Sequence, residues 1–193
     1  MTKYPNWFKQ IAQANFEQFL TPLAGKDNLK FLQLGAFTGD ASIWLCQNIL
    51  TGNNTHLTDV DTWAGAPNEP IQTQMDFDDV YATYIKKTDP YKNIFHTQKT
   101  TQKFLLDIHN GPYRYDFIYV DAHHTSASAL LDSELSWPLL KSGGLMAIDD
   151  YLWEHPDGID IHAPKLGIAM FLDRHLGEFD TLAINSQVWI QKH

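Results

Sequence analysis

The chain has 193 residues, which is enough for one compact domain with a full core, and we expect a single domain spanning residues 1–193. Apolar residues make up 44% and charged residues 19%, a composition that excludes an intrinsically disordered chain. The formal net charge is −9 and no dense stripe of Lys and Arg occurs, which argues against a nucleic-acid partner.

The chain has one cysteine, Cys46, which cannot form an internal disulfide and whose apolar surroundings predict a buried thiol. Lys3, Asn6 and Lys9 interrupt the start of the chain, so we expect no signal peptide. No apolar run approaches the ~20 residues that cross a bilayer. These features predict a cytoplasmic protein without a membrane partner.

Strands and helices are predicted to alternate along most of the chain. A helix over residues 5–20 comes first, because apolar side chains recur there at helical spacing. The five strands that follow are predicted at 30–34, 55–60, 93–96, 115–120 and 145–148. The helices between and after them are predicted from Asp40, which can cap the first, and at 77–87, 101–109, 126–140 and 167–175.

Two last strands, at 179–184 and 187–191, alternate around Asn185-Ser186 and predict a terminal hairpin. The preceding alternation of strand and helix is typical of an α/β fold with an open, mostly parallel, doubly wound sheet. Ligands of such sheets bind beyond the carboxyl ends of the strands, where the strand order reverses. The polar clusters of this chain follow the ends of predicted strands.

The first of these clusters is Gln33-Leu34-Gly35-Ala36-Phe37-Thr38-Gly39, directly after the first strand. Its glycines permit a tight turn and a close approach of the backbone to a ligand, and the following helix start offers free amides. A glycine pair at this spacing is also a common structural turn. The dinucleotide fingerprint requires G-x-G-x-x-G, so this spacing favours a ligand without a pyrophosphate over a nicotinamide cofactor.

The second strand ends in Thr58-Asp59-Val60-Asp61-Thr62-Trp63. A carboxylate at this place can accept hydrogen bonds from both hydroxyls of a ribose. We assign that role to Asp61, which lies where the apolar strand ends, with Asp59 as the competitor and a solvated loop acid as the alternative. Trp63 is suited to flank a base, although aromatic residues near strand ends are more often part of the core.

The fourth and fifth strands end in acids: Asp121 with His123 and His124, and Asp149-Asp150. Neighbouring parallel strands would bring the three carboxylates together, and carboxylate oxygens suit Mg²⁺ or another divalent ion. We therefore predict Asp121, Asp149 and Asp150 as metal ligands. Alternatively, Asp121 caps a helix or contacts the amine of a cofactor, and the other two acids are solvated.

His124 is the candidate general base, because imidazole titrates near neutral pH, and we prefer it to His123. Asp121 is the second candidate catalytic residue. The alternative for either histidine is an exposed loop residue without a catalytic role.

Three stretches of the sequence, residues 31–45, 115–124 and 136–151, resemble a known family. The first resembles motif I of class I S-adenosylmethionine-dependent methyltransferases. The second and third are similar to the strand-four and strand-five signatures of the subgroup named methyltransferase domain family 24.

This resemblance implies a Rossmann-like, seven-stranded, mostly parallel sheet with a C-terminal antiparallel hairpin. It implies S-adenosylmethionine as the cofactor and magnesium at the three acids. The cofactor contacts that we infer are Gln33, Gly35, Gly39, Asp61, Thr62, Thr101, Gln102 and Asp121. Family members usually have Glu or Asp at the position of Gln33, and an amide lacks the charge that attracts the sulfonium and ammonium groups.

The leading hypothesis is a metal-assisted O-methyltransferase that acts on a small hydroxylated molecule. The alternative is a catalytically silent S-adenosylmethionine-binding protein of the same fold. We expect the N-terminal helix and the loops 64–76 and 151–165 to select the acceptor. The aromatic residues of these loops suit an apolar pocket or a homodimer interface.

Overall fold

 The computed structural model describes residues 3–65 and 72–193 of the chain. Part of the predicted loop 64–76, residues 66–71, lies outside the described residues. Among the described residues, no helix is long and apolar enough to cross a membrane.

Seven strands of the described residues form one sheet. In chain order they are β1 (Lys30–Leu34), β2 (His56–Asp61), β3 (Ile94–Gln98), β4 (Tyr115–Val120), β5 (Leu140–Ile148), β6 (Phe179–Ile184) and β7 (Val188–Lys192). Their spatial order is β3-β2-β1-β4-β5-β7-β6, so the order reverses between β1 and β4. The first five strands are parallel, and β7 is antiparallel to both β5 and β6. The predicted Rossmann-like sheet with its terminal hairpin is confirmed.

In the part of the chain that the structure describes, six α-helices surround this sheet. They are α1 (Gln13–Leu20), α2 (Asp40–Asn48), α3 (Phe77–Thr88), α4 (Thr101–Ile108), α5 (Ser126–Ser136) and α6 (Lys165–Arg174). A π-helical segment, Phe8–Ala12, leads directly into α1, so the predicted helix over residues 5–20 is present but is π-helical in its first half. Apolar spacing shows which face of a segment is buried, but it does not separate a π-turn from an α-turn.

Residues with cap-forming side chains occupy the N-cap position in some helices but not in α2. Thr100 and Thr125 cap α4 and α5, since their side chains accept hydrogen bonds from the backbone amides of Lys103 and Ser128. The predicted Asp40 cap is wrong, because Gly39 occupies the cap position of α2 in a left-handed conformation. Asp40 lies in the first turn, where its carboxylate accepts from Thr38 and pairs with Lys87 Nζ at 2.7 Å.

The core has two layers, one on each face of the sheet. Leu32 and Ile118 belong to the layer under α4, α5 and α6, whereas Phe31 and Phe117 belong to the layer under α1 and α2. Because β1 and β4 are covered on both faces, their sequences are nearly continuous apolar runs. Cys46 is buried in the second layer, as predicted, and burial raises the pKa of its thiol to about 12.

Candidate active site

A cavity of about 460 Å³ lies at the carboxyl ends of β1, β2, β4 and β5, where the strand order reverses. Ten of the predicted site residues line it: Gln33, Gly35, Asp61, Thr62, Thr101, Gln102, Asp121, His124, Asp149 and Asp150. Gly39 is not among the lining residues. The topology thus brings together side chains that are far apart in the sequence.

Both glycines of the loop after β1 have packing reasons that do not involve a ligand. Gly35 has a φ of +89°, and a Cβ there would lie 1.7 Å from the carbonyl oxygen of Asp121. At Gly39, a Cβ would lie 3.1 Å from side-chain atoms of Thr88 and Tyr84 on α3. The glycine spacing therefore reflects the close packing of β1 on the end of β4 and of α2 on α3.

Asp61 connects the end of β2 to the loop after β1, residues 35–39, through hydrogen bonds. Its Oδ2 accepts hydrogen bonds from the amides of Ala36 at 2.8 Å and Phe37 at 2.9 Å, and its Oδ1 accepts from the amide of Trp63 at 2.7 Å. The competitor Asp59 is fully buried away from the cavity, where it accepts from the hydroxyl of Tyr84. Of the two acids, only Asp61 lines the cavity.

Trp63 belongs to the core and is not a lining residue. Only 3% of it is exposed, its ring packs on Tyr81 and Tyr84, and its Nε1 donates to the carbonyl of Phe37 at 2.8 Å. Burial raises the pKa of the neighbouring Asp59 to about 7. The core role, which the sequence left open beside base recognition, is therefore the one that the structure shows.

A buried acid on α5 holds the two predicted residues at the start of α4. Asp132 is 1% exposed and accepts from Thr101 Oγ1 at 2.8 Å and from Gln102 Nε2 at 2.5 Å. Burial raises the pKa of Asp132 to about 7. The sequence reasoning missed this residue. The available signal was an acid on the small-residue stripe of α5 formed by Ala129, Ser133 and Ser136.

Asp121, His124 and Asp150 form one group at the ends of β4 and β5. Ligand atoms of the three side chains all lie within 4.8 Å of one another, and His124 Nε2 lies 3.0 Å from Asp150 Oδ2. We call these residues the sheet-edge cluster. The prediction had Asp149 in this group and His124 outside it, as a base.

Asp149 uses its oxygens for other contacts. Its Oδ2 accepts from Gln187 Nε2 at 2.9 Å and from the hydroxyl of Tyr119, and its Oδ1 accepts from the amide of Asp150 at 2.8 Å. Asn15 Nδ2 in turn donates to Gln187 Oε1 at 2.9 Å. Asp149 therefore anchors the end of β5 to β4, β7 and α1, and Gln187 and Asn15 are supporting residues that the sequence did not reveal.

Burial controls the electrostatics of these acids. Burial and the neighbouring carboxylates of Asp149 and Asp150 hold the pKa of Asp121 well above its usual range. Burial, together with Asp150, raises the pKa of Asp149 to about 6. Such an arrangement favours either protonation or a bound cation, since both neutralise the accumulated negative charge.

The other wall of the cavity is apolar and aromatic. The rings of Trp7 and Phe37 pack with their centroids 4.8 Å apart, and Phe8 and Ile11 continue the wall from the N-terminal segment. Trp153, from the loop after β5, closes the side near His124 with ring centroids 5.2 Å apart. The N-terminal segment and the loop 151–165 thus reach the cavity, as predicted.

A family model described as a methyltransferase domain, methyltransferase domain family 24, matches residues 32–151, which is more than half of the chain. The chain belongs to this family. The match begins in β1, includes the sheet-edge cluster and ends directly after it. No curated protein sequence matches the chain.

Solved structures show the same fold at low sequence identity. An O-methyltransferase from Bacillus cereus in complex with SAH has a TM-score of 0.66 at 17% identity, with 95% of this chain and 81% of that chain covered. A putative rRNA-methylase from Clostridium thermocellum has a TM-score of 0.68 at 12% identity, with coverages of 94% and 97%.

A third structure, the MycE methyltransferase from the mycinamycin biosynthetic pathway, contains Mg, SAH and mycinamycin VI. Its TM-score is 0.63 at 14% identity, and the match covers 99% of this chain and 50% of that chain. The chain thus has the fold of the class I S-adenosylmethionine-dependent methyltransferases, as the resemblance of its motifs predicted.

Proposed function

We propose that this methyltransferase uses S-adenosylmethionine to methylate a hydroxyl oxygen of a small, partly apolar acceptor, with the help of a divalent cation. One observation supports this best. The sheet-edge cluster lines the same cavity as Asp61 and Gln102, which are predicted to bind the cofactor, and aromatic side chains line that cavity as well. A hydroxyl group at the cluster and an apolar body against Trp7 can therefore be accommodated together.

S-adenosylmethionine, when bound, supplies an electrophilic methyl group. The protein's own contribution is orientation. Asp61 and Thr62 would bind the ribose, and Thr101 and Gln102 would bind the adenine from a position that Asp132 fixes. Gln33 Nε2 donates to the carbonyl of Gly35, which leaves its Oε1 as the acceptor for a cationic part of the cofactor.

Asp121, His124 and Asp150 fit a divalent cation, because Asp121 is half-buried beside other acids and the three side chains offer converging oxygen and nitrogen atoms. A cation there would lower the pKa of an acceptor hydroxyl. The net charge of −9 suits a small-molecule acceptor better than a nucleic acid. The similar MycE structure contains both Mg and SAH, which supports a fold of this kind holding a metal ion beside the cofactor.

The 3.0 Å pair of His124 and Asp150 also fits the predicted general base, in which Asp150 orients the imidazole that removes the hydroxyl proton. These two roles are exclusive, since an Nε2 that binds a cation cannot also carry the hydrogen that it donates to Asp150 while Nδ1 removes the hydroxyl proton. The dependence of the reaction on magnesium separates them.

The cofactor part of the proposal is tested by calorimetric titration with S-adenosylmethionine. We expect one binding event, which Gln102→Met weakens at least about tenfold, because the amide contacts are lost. Lys103→Met, an exposed change in the same helical turn, is the matched control. Absence of binding by the unaltered chain contradicts the proposal.

The catalytic part is tested by the formation of S-adenosylhomocysteine with a panel of hydroxylated aromatic acceptors, with magnesium or with a chelator. We expect turnover that requires magnesium. Turnover that persists in the presence of the chelator contradicts a required metal ion and favours His124 as the general base. Cofactor binding without turnover on any acceptor supports the silent binding protein, an alternative that the neutral Gln33 favours.

A further inference from the structure

A second group of ligand-type side chains lies in the loop after β5. His155 Nδ1 lies 2.7 Å from Asp157 Oδ1, and His162 Nδ1 lies 2.6 Å from Asp157 Oδ2. One ligand atom from each of the three residues lies within 4.8 Å of the others. We call these residues the loop cluster. Its two imidazoles converge on the two oxygens of one carboxylate.

The 2.7 Å contact between His155 Nδ1 and Asp157 Oδ1 requires a positive charge between the two atoms, because both would otherwise present lone pairs to each other. Either a proton on Nδ1 or a bound cation supplies that charge. In both cases Nδ1 does not accept from the amide of Asp157, whose nitrogen lies 3.3 Å away. The contact is therefore suited to a cation that His155 and Asp157 share.

The backbone around the loop cluster is fixed by several hydrogen bonds. Ser126 Oγ at the start of α5 donates to the carbonyls of Asp160 at 3.1 Å and Ala163 at 2.6 Å. Asp157 Oδ1 accepts from the amide of Ile159 at 2.9 Å. At the start of the loop, the amide of Tyr151 donates to the carbonyl of Ser186 at 2.9 Å, so both ends of the loop are tied to the domain.

We propose that His155, Asp157 and His162 form a binding site for a zinc-type divalent cation, separate from the sheet-edge cluster. Two imidazole nitrogens and one carboxylate oxygen are a donor set that zinc accepts, with solvent or another ligand in the fourth position. Zinc bonds of about 2.0–2.1 Å place ligand atoms farther apart than the contacts seen here, so small rotations of the side chains accompany binding.

The ion would fasten the loop that covers one side of the cavity. The ring of His155 packs on Trp153 with centroids 5.8 Å apart, and Trp153 in turn packs on His124. Holding His155 and His162 on one ion thus limits the movement of Trp153 over the cavity. The inference concerns the loop alone and does not depend on methyl transfer.

The test is a competition titration with Zn²⁺ and a chromophoric chelator, on the untagged full-length chain. Asp150→Asn is used as the background, because it removes one ligand of the sheet-edge cluster. We expect one zinc equivalent in this background, and a loss of affinity of at least about tenfold when His162→Gln or His155→Gln is added. Cobalt binding with the visible absorption of a tetrahedral site would support the same assignment.

His109→Gln, an exposed histidine at the end of α4, is the matched control and should leave the zinc affinity unchanged. Limited proteolysis gives a second measurement: zinc should slow cleavage within residues 151–165 in the background chain but not in the His162→Gln variant. If no zinc binds, or if binding is equally strong in both loop variants, the proposal is wrong and the cluster is held by protons alone. Thermal melting of each variant confirms that it is folded.

Discussion

The sheet-edge cluster and the loop cluster have similar donor atoms but are assembled in opposite ways. Asp121 and Asp150 come from the ends of two strands, and their positions depend on the packing of the whole sheet. His155 and His162 are seven positions apart in one loop, and local hydrogen bonds bring them to Asp157. All three residues of the first cluster are half-buried, whereas Asp157 in the second cluster is exposed.

This difference in assembly has consequences for chemistry. Burial of the sheet-edge acids raises the pKa of Asp121, so a proton or cation that neutralises the negative charge there stabilises the site strongly. In the loop cluster, the hydrogen bond from the Ile159 amide and the contacts with His162 and His155 lower the pKa of Asp157 to about 2. A site that depends on global packing should respond far more strongly to small changes than one built within a loop.

We expect the largest effect on stability from a Gly-to-Ala change beside the sheet-edge cluster, compared with the same change beside the loop cluster. In Gly35→Ala, the Cβ would overlap the carbonyl oxygen of Asp121, so the ends of β1 and β4 must separate. We expect a loss of more than about 4 kcal/mol of unfolding free energy, or failure to fold. In Gly158→Ala, nothing lies within 4 Å of the Cβ and only the positive φ is unfavourable, which predicts a loss of roughly 1–2 kcal/mol.

Chemical denaturation of the two variants measures both losses of unfolding free energy. If Gly35→Ala yields too little protein for denaturation, the yield of soluble, folded protein is compared between the two variants instead. Equal losses at the two positions would contradict the distinction between a packed and a locally built site.

The next effect compares one carboxylate from each cluster. Asp150→Asn keeps the shape of the side chain and the positive φ that Asn tolerates, but it removes the charge. We expect the methyl-transfer rate with magnesium to fall about 100-fold or more. Asp157→Asn should cause a much smaller loss, because it acts only through the loop and Trp153. The exposed Asp89→Asn is the control, and a larger loss from Asp157→Asn than from Asp150→Asn would reverse the assignment.

The smallest effect concerns pH and the buried Asp132. Its pKa is about 7 in the folded chain and near 3.9 when unfolded, so between these values the folded chain holds a proton that the unfolded chain has lost. The unfolding free energy should therefore fall as pH rises from about 4 to 7, by up to about 1.4 kcal/mol for each unit of pKa difference. Below about pH 4 both states hold the proton, so Asp132 causes no loss of unfolding free energy there.

Asp132→Asn should flatten that part of the stability profile, as measured by denaturation at a series of pH values. Asp107→Asn, an exposed acid on α4, should leave the slope from pH 4 to 7 unchanged. An unaltered slope in Asp132→Asn would show that Asp132 is ionised in the folded chain throughout this range.

Much of the candidate site was predictable because polar residues at the carboxyl ends of parallel strands meet at one edge of the sheet. This rule placed Asp61, Asp121 and Asp150 correctly at the cavity. It could not choose between His124 and Asp149 as partners of Asp121. That choice depends on Gln187, which comes from the distant hairpin and engages Asp149.

The sequence alone determined the alternation of strands and helices, because apolar periodicity and turn residues act over a few neighbouring positions. The tertiary structure decided which atoms of those elements touch. The reason why position 35 is glycine, the burial of Asp132 beneath Thr101 and the meeting of His155 with His162 all depend on backbone paths that bring separate segments within contact distance. Such distances are set by packing in three dimensions, and no local pattern of residue types records them.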